Sequence, residues 1–169
     1  MRFYYKILKR FFVFILFFGA LASSAQEKSD TLEVYFRQGY SLWEPNFKNN
    51  SKRLQAFVER FKKMREDTIL YHVSKIHIIA GCSPEGTWKF NQRLSKNRAK
   101  RIRGVLKNYI SLPDSVIVED SRGVNWQGLY EMVEASDMEY KDEVLNIIKN
   151  TPEIKNGRES RKLQLAYLR

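Results

Sequence analysis

One stretch constrains this chain more than any other. Tyr71 to Ala80 (Y-H-V-S-K-I-H-I-I-A) is almost wholly apolar from Ile76 onward, and a turn, Gly81 to Thr87 (G-C-S-P-E-G-T), follows it before helix-forming sequence runs to about Ile110. A short apolar run bounded by turn residues reads as a strand in a central position. Beyond the turn, Phe90, Leu94, Ile102 and Leu106 recur in steps of four or its multiple, which places them on one face of a helix. A strand that feeds a helix through a tight turn is half of a helix-on-sheet layer, because each element must bury its apolar side against another.

The rest of the chain supplies partners for that layer. Thr31 to Phe36 (T-L-E-V-Y-F) alternates with period 2 and predicts a strand half buried through Leu32, Val34 and Phe36. A long loop with Gly39, Trp43 and Pro45 leads to Asn49-Asn50-Ser51, where an Asn or Ser can cap a helix. Leu54, Phe57, Val58, Phe61 and Met64 then predict an amphipathic helix. Leu112-Pro113-Asp114 breaks the long helix, Val116-Ile117-Val118 reads as a third strand, and Ser121-Arg122-Gly123 ends it. Helices are expected around Trp126 to Glu134 and Asp142 to Lys149, with Met132 and Val133, or Leu145 and Ile148, facing inward. Arg161 to Leu168 fits a strand by alternation and equally a helix from Glu159, with Leu163 and Tyr167 four apart. This order predicts an α/β chain, an α+β sandwich with helices on one face of a small mixed sheet.

Composition narrows the classes. The 169 residues suit one domain, and a single cysteine and two histidines exclude a disulfide scaffold or a zinc module. His72 and His77 lie five apart, so a regular strand points them to opposite faces, one at the surface and one packed. Residues 1–25 hold four basic and no acidic side chains, an apolar run from Phe11 to Phe18 continuing to Ala22, and small residues at Ser23-Ser24-Ala25. That pattern predicts a signal peptide cleaved after Ala25, leaving 26–169 as the domain. Its roughly 12 apolar residues fall short of the roughly 20 that span a bilayer, so no stable transmembrane segment is expected after cleavage. No cysteine near the cleavage site supports a lipoprotein. The expected location is outside the inner membrane, in the periplasm or on the periplasmic face of an outer membrane. The remainder still carries 26 basic against 19 acidic side chains. In a cytosolic protein that balance would point first to nucleic acid, but export leaves headgroups, wall polymers and wall-peptide carboxylates as the available anions.

The long helix holds the informative chemistry. From Thr87 to Pro113 there is no acidic residue, while Lys89, Arg93, Lys96, Arg98, Lys100, Arg101, Arg103 and Lys107 are cationic. Most of these read as a solvated face. Arg98 instead completes the apolar series of Phe90, Leu94, Ile102 and Leu106, with Ala99 sharing the packing. A buried guanidinium must meet an anion, and its planar fork suits a carboxylate. The candidates are Glu85, which is slightly favoured, or the carboxylate of a ligand.

Gly81, the turn to Gly86, and Asn91 to Ala99 (N-Q-R-L-S-K-N-R-A) resemble the OmpA-like C-terminal domain, the peptidoglycan-associating module of envelope proteins, whose signature is approximately G-x-T-D-x-x-G followed by N-x-x-L-S-x-x-R-A. The similarity covers roughly 31–124. It implies a β-α-β-α-β fold holding the diaminopimelate of the wall's stem peptide between the motif's aspartate and its helix arginine. Carried over by position, Arg98 takes the ligand carboxylate, with Glu85, Ser83 and Asn91 as the further ligand-binding residues. The motif's aspartate has no counterpart. Ser83-Pro84-Glu85-Gly86 occupies that turn, as in a divergent branch found in envelope and surface-appendage proteins, and Glu85 replaces the aspartate from a shifted position or Pro84 stands in its place. Against the family pattern, the C-terminal part is expected to be atypical or incomplete. The chain is expected to be noncatalytic, with no cofactor and no metal, since Cys82 and His77 have no Asn or Asp to orient them as a nucleophilic pair. The alternative is an envelope or surface-appendage assembly protein that keeps the fold without wall binding and uses Trp43, Trp88, Trp126 and Tyr130 as interface anchors. Their plainer reading is as core aromatics.

Overall fold

The structure, a computed structural model, describes residues 29–66 and 73–168. The chain divides into Met1–Thr31 and Leu32–Arg169. In the first unit residues 29–31 have no regular secondary structure, and the signal-peptide reading of 1–25 lies outside the described residues. In the second unit the elements are α1 (Asn50–Glu66), β1 (Ile76–Cys82), α2 (Trp88–Lys107), β2 (Ile117–Val124), α3 (Trp126–Glu134), α4 (Lys141–Asn150) and α5 (Ser160–Ala166), with 3-10 turns at Phe47–Asn49 and Asp114–Val116. Among the described residues no helix is long and apolar enough to cross a membrane.

The expected helix-on-sheet layer is present. β1 and β2 pair in parallel, Ile76 opposite Ile117 through Ala80 opposite Ser121, with the register shifting before Cys82 meets Val124. Parallel neighbours need a crossover connection, and α2 lies in it. Ile78, Ala80 and Cys82 alternate inward, while His77 and Ile79 face outward. His77 is thus the surface histidine of the expected pair, and His72 lies outside the described residues. Leu54, Phe57, Val58 and Phe61 of α1 join Ile78, Ala80, Ala99, Ile102, Leu106, Ile110 and Ile117 in one core. Each buried Val, Leu, Ile or Phe side chain there contributes about 1.5–3 kcal/mol.

Three expectations need correction. Thr31 to Phe36 forms no ladder: the Tyr35 N–H donates to Asn50 Oδ1 at 2.9 Å, and the Tyr35 carbonyl accepts from Asn50 Nδ2 at 2.8 Å. The Asn50 amide takes the backbone groups a neighbouring strand would have used, so Leu32, Val34 and Phe36 pack on the core from a segment outside the sheet. The sheet of the described residues is therefore two parallel strands rather than a mixed sheet. The tail, whose sequence left strand and helix open, is the helix α5. Of the inward pair proposed for α3, Val133 is buried but Met132 is 66 % exposed. A second, thinner cluster forms around Val133, Val144 and Ile148, with Trp126, Leu129, Tyr130, Leu145, Leu165 and Leu168 half-buried against it.

Candidate functional site

The N-x-x-L-S-x-x-R-A segment is the inward face of α2. Asn91, Leu94, Ser95, Arg98 and Ala99 are all buried, in the i, i+3, i+4, i+7, i+8 pattern of a core-facing stripe. Ser95 links the helix to the sheet: its hydroxyl donates to the Gln92 carbonyl at 3.0 Å and accepts from the Gly123 N–H at 3.1 Å. Gly123 lies at φ 65, in the left-handed region that favours glycine, and a Cβ there would meet the Gln92 side chain. Gly81 is required for space: a Cβ on it would come within 2.6 Å of Asn125 Cβ, because the Asn125 N–H reaches the Cys82 carbonyl at 2.8 Å as β2 passes into α3.

Arg98 is 8 % exposed and meets no carboxylate among the described residues. Nε donates to the Tyr40 carbonyl at 3.0 Å, one terminal nitrogen to the Gly81 carbonyl at 2.8 Å, and the other to the Arg37 carbonyl at 3.0 Å. Its guanidinium also lies 5.1 Å from the centre of the Phe36 ring. The loop after Phe36 folds to make this possible. Tyr40 N–H closes a turn on the Arg37 carbonyl at 3.1 Å, with Gly39 at φ 77. The expected salt bridge to Glu85 is absent: three carbonyl dipoles take its place. Burial lowers the Arg98 pKa from its ordinary value, yet a guanidinium remains charged in proteins.

A half-open cleft of ≈ 190 Å³ adjoins this arginine. Ser83, Glu85, Asn91 and Arg98, the four residues singled out by the sequence, all line it, together with Gln38, Gly39, Cys82 and Phe90. Asn91 is 1 % exposed, and its Nδ2 has no hydrogen-bond partner among the described residues. A buried amide donor without an acceptor costs stability, which makes it a group that a ligand oxygen would satisfy. Glu85 is exposed at the rim. The Ser83 hydroxyl and a backbone N–H hold its carboxyl below the ordinary range, and Lys162 adds to the effect. Cys82 donates to the Asn91 carbonyl at 3.6 Å, and burial pushes its thiol up against the pull of Arg98. A buried, protonated thiol is a poor nucleophile, so this cysteine packs and hydrogen-bonds.

The tail reaches the same turn. The Glu159 carboxylate accepts from the Trp88 N–H at the start of α2, and Lys162 donates to the Gly86 carbonyl and pairs with Glu159 at 2.5 Å. α2 has no acidic residue in its own first turn, and Glu159 supplies that charge from 71 residues away. Sequence reasoning missed this contact and the wall formed by Gln38 and Gly39. The signal for the second was Gly39, a glycine inside the loop.

The aromatic candidates divide. Trp43 packs on the main core and Trp126 and Tyr130 on the second, whereas Trp88 is 38 % exposed beside the cleft's turn. Among the described residues no cluster of His, Cys, Asp or Glu is suited to hold a metal ion. Comparison with known proteins identifies no relative, since no family model, curated protein or solved structure matches the chain.

Proposed function

We propose that the chain is an exported, noncatalytic envelope protein whose α+β domain binds or positions at peptidoglycan, with Arg98 taking a stem-peptide carboxylate. Ser83 and Asn91 offer hydrogen bonds in the same cleft, and Glu85 faces the ligand's ammonium group. The observation that carries this reading is a buried guanidinium that meets no carboxylate among the described residues, beside the Asn91 Nδ2 that has no partner among them, at a cleft lined by all four residues. Ligand pockets usually begin at about 300 Å³, so a cleft of ≈ 190 Å³ suits one end of a peptide side chain rather than a whole sugar–peptide unit.

A specific observation favours a second reading. Three carbonyls already hold Arg98, and Glu159 and Lys162 brace the turn beside it, as expected of an assembly protein that uses this constellation for structure alone.

Co-sedimentation with purified peptidoglycan across a salt series separates the two. Wild type, Arg98→Lys and Glu85→Gln are compared. Arg98→Lys keeps the charge but loses the fork, and Glu85→Gln alters an exposed residue without disturbing the core. Salt-resistant binding that both substitutions weaken supports the wall anchor. Absent binding, or binding that salt abolishes equally in all three, sinks it in favour of the assembly protein, because a basic chain adheres to anions nonspecifically.

A further inference from the structure

α5 reaches the cleft's turn without lining the cleft. The helix buries no residue completely, and Leu165 and the following Leu168 are half-buried against the thin second cluster. Polar ties do the rest. The Ser160 hydroxyl donates to the Pro152 carbonyl at 2.5 Å, Arg161 Nε donates to the Thr151 carbonyl at 2.8 Å, and the Arg161 guanidinium lies 4.7 Å from the centre of the Trp126 ring. Two further ties run to the turn: Lys162 donates to the Gly86 carbonyl, and Glu159, its ion-pair partner, accepts from the Trp88 N–H. A segment with so little buried apolar surface opens locally at low free energy.

The tied turn is part of the cleft wall. Ser83, Glu85 and Gly86 line the cleft, and residues 83–86 make no backbone-to-backbone hydrogen bond among the described residues. The wall is held instead from outside, at Gly86, by a cation on α5. The cleft so held measures ≈ 190 Å³, below the roughly 300 Å³ at which ligand pockets usually begin.

We infer that α5 is a displaceable latch on this cleft: docked, it holds the turn in and keeps the cleft narrow, and released, it lets the turn move out and the cleft widen. The inference rests on the reading of the cleft as a ligand site and adds a direction to it. Lys162 already acts on the Glu85 carboxylate through its charge. A ligand ammonium at Glu85 comes beside that cation, so the bound group and the docked helix disfavour each other. Such a difference between two states is what lets a ligand shift their balance, and the coupling is reciprocal.

Cys82 is the chain's single cysteine and lines the cleft, so its alkylation by iodoacetamide reports access. The full chain is compared with Lys162→Gln, Lys162→Arg and Lys155→Gln, the last at an exposed cation outside these ties. Lys162→Gln should react about three- to tenfold faster, as expected for losing one charge-assisted hydrogen bond at a partly exposed site, while the other two stay within about twofold of wild type. Loss of a cation by itself lowers the thiolate fraction, so a faster reaction reports opening. Amide exchange distinguishes a latch from general loosening: in Lys162→Gln it should rise in residues 83–88 and 159–168 and not in β1. Unchanged alkylation, or exchange that rises through β1 as well, overturns the latch. A soluble muropeptide tests the direction of coupling and should bind Lys162→Gln about threefold tighter than wild type. Equal or weaker binding to Lys162→Gln overturns the coupling. Faster alkylation with no muropeptide bound by any of the four chains supports the latch and overturns wall binding instead.

Discussion

The two hydrophobic clusters of the molecule are built differently. Around α1, α2 and the sheet, eleven buried apolar residues interlock, and Asn50, Ser95 and Arg98 are buried among them with hydrogen-bond partners. Around α3, α4 and α5, three residues are buried and the remainder half-covered. The first region is over-determined and can hold a buried charge such as the carbonyl-caged arginine. The second is thin and meets the candidate site through Glu159 and Lys162. Depth of core therefore marks where geometry is fixed and where it can give.

The largest way to break that contrast is to cut into each core. Leu54→Ala, at a site 2 % exposed, is expected to cost about 3–5 kcal/mol, and Ile148→Ala about 2 kcal/mol, since half-exposed neighbours can close on the gap. Urea denaturation reads both, and equal costs would remove the distinction. Arg98→Ala should cost about 2–4 kcal/mol by removing the guanidinium donors from the Tyr40 and Gly81 carbonyls and leaving the Arg37 carbonyl only the Tyr40 N–H, and amide exchange should rise in residues 37–44 ahead of β1. A cost below about 1 kcal/mol would show that the loop does not depend on it. Gly123→Ala, forced into the left-handed region against Gln92, should cost about 1–2 kcal/mol with the helices otherwise intact.

The smallest effect sharpens the comparison through pH. Burial pushes the Glu159 carboxyl up, but Lys162 and the Trp88 N–H hold it below its ordinary value on balance. A depressed carboxyl contributes stability above its unfolded pKa of about 4.3 and loses it as pH falls through the lower folded value. Wild type should therefore lose more stability than Glu159→Gln between pH 6 and pH 3, measured by thermal melts. Identical losses would show that the brace between tail and turn contributes nothing.

The long-range contacts explain what the sequence could and could not disclose. The β1-turn-α2 unit was legible because strand run, glycine turn and helical stripe are local patterns, and the same stripe exposed Arg98 as the misplaced charge. The four candidate residues were likewise legible and converge on one cleft. The identity of Arg98's partners was not, since carbonyls leave no mark in a side-chain pattern and belong to a loop 58 and 61 residues away. The alternation of Thr31 to Phe36 misled for a related reason. Period 2 reports burial on one side, while strand pairing depends on which group takes the backbone bonds, and here Asn50 takes those of Tyr35. The tail's ambiguity ended in a helix whose first turn packs where Glu159 and Lys162 can reach the Gly86-Thr87-Trp88 segment.

The most direct test of the central claim is a nuclear magnetic resonance titration of the isotope-labelled chain with a soluble muropeptide, alongside the same muropeptide with its diaminopimelate carboxylate amidated. The account expects the Asn91 side-chain amide and the Arg98 Nε–H resonances to shift together with the free carboxylate and to stay in place with the amidated one. Shifts confined to the exposed lysines of α2, or equal shifts with both peptides, would contradict a carboxylate site at Arg98.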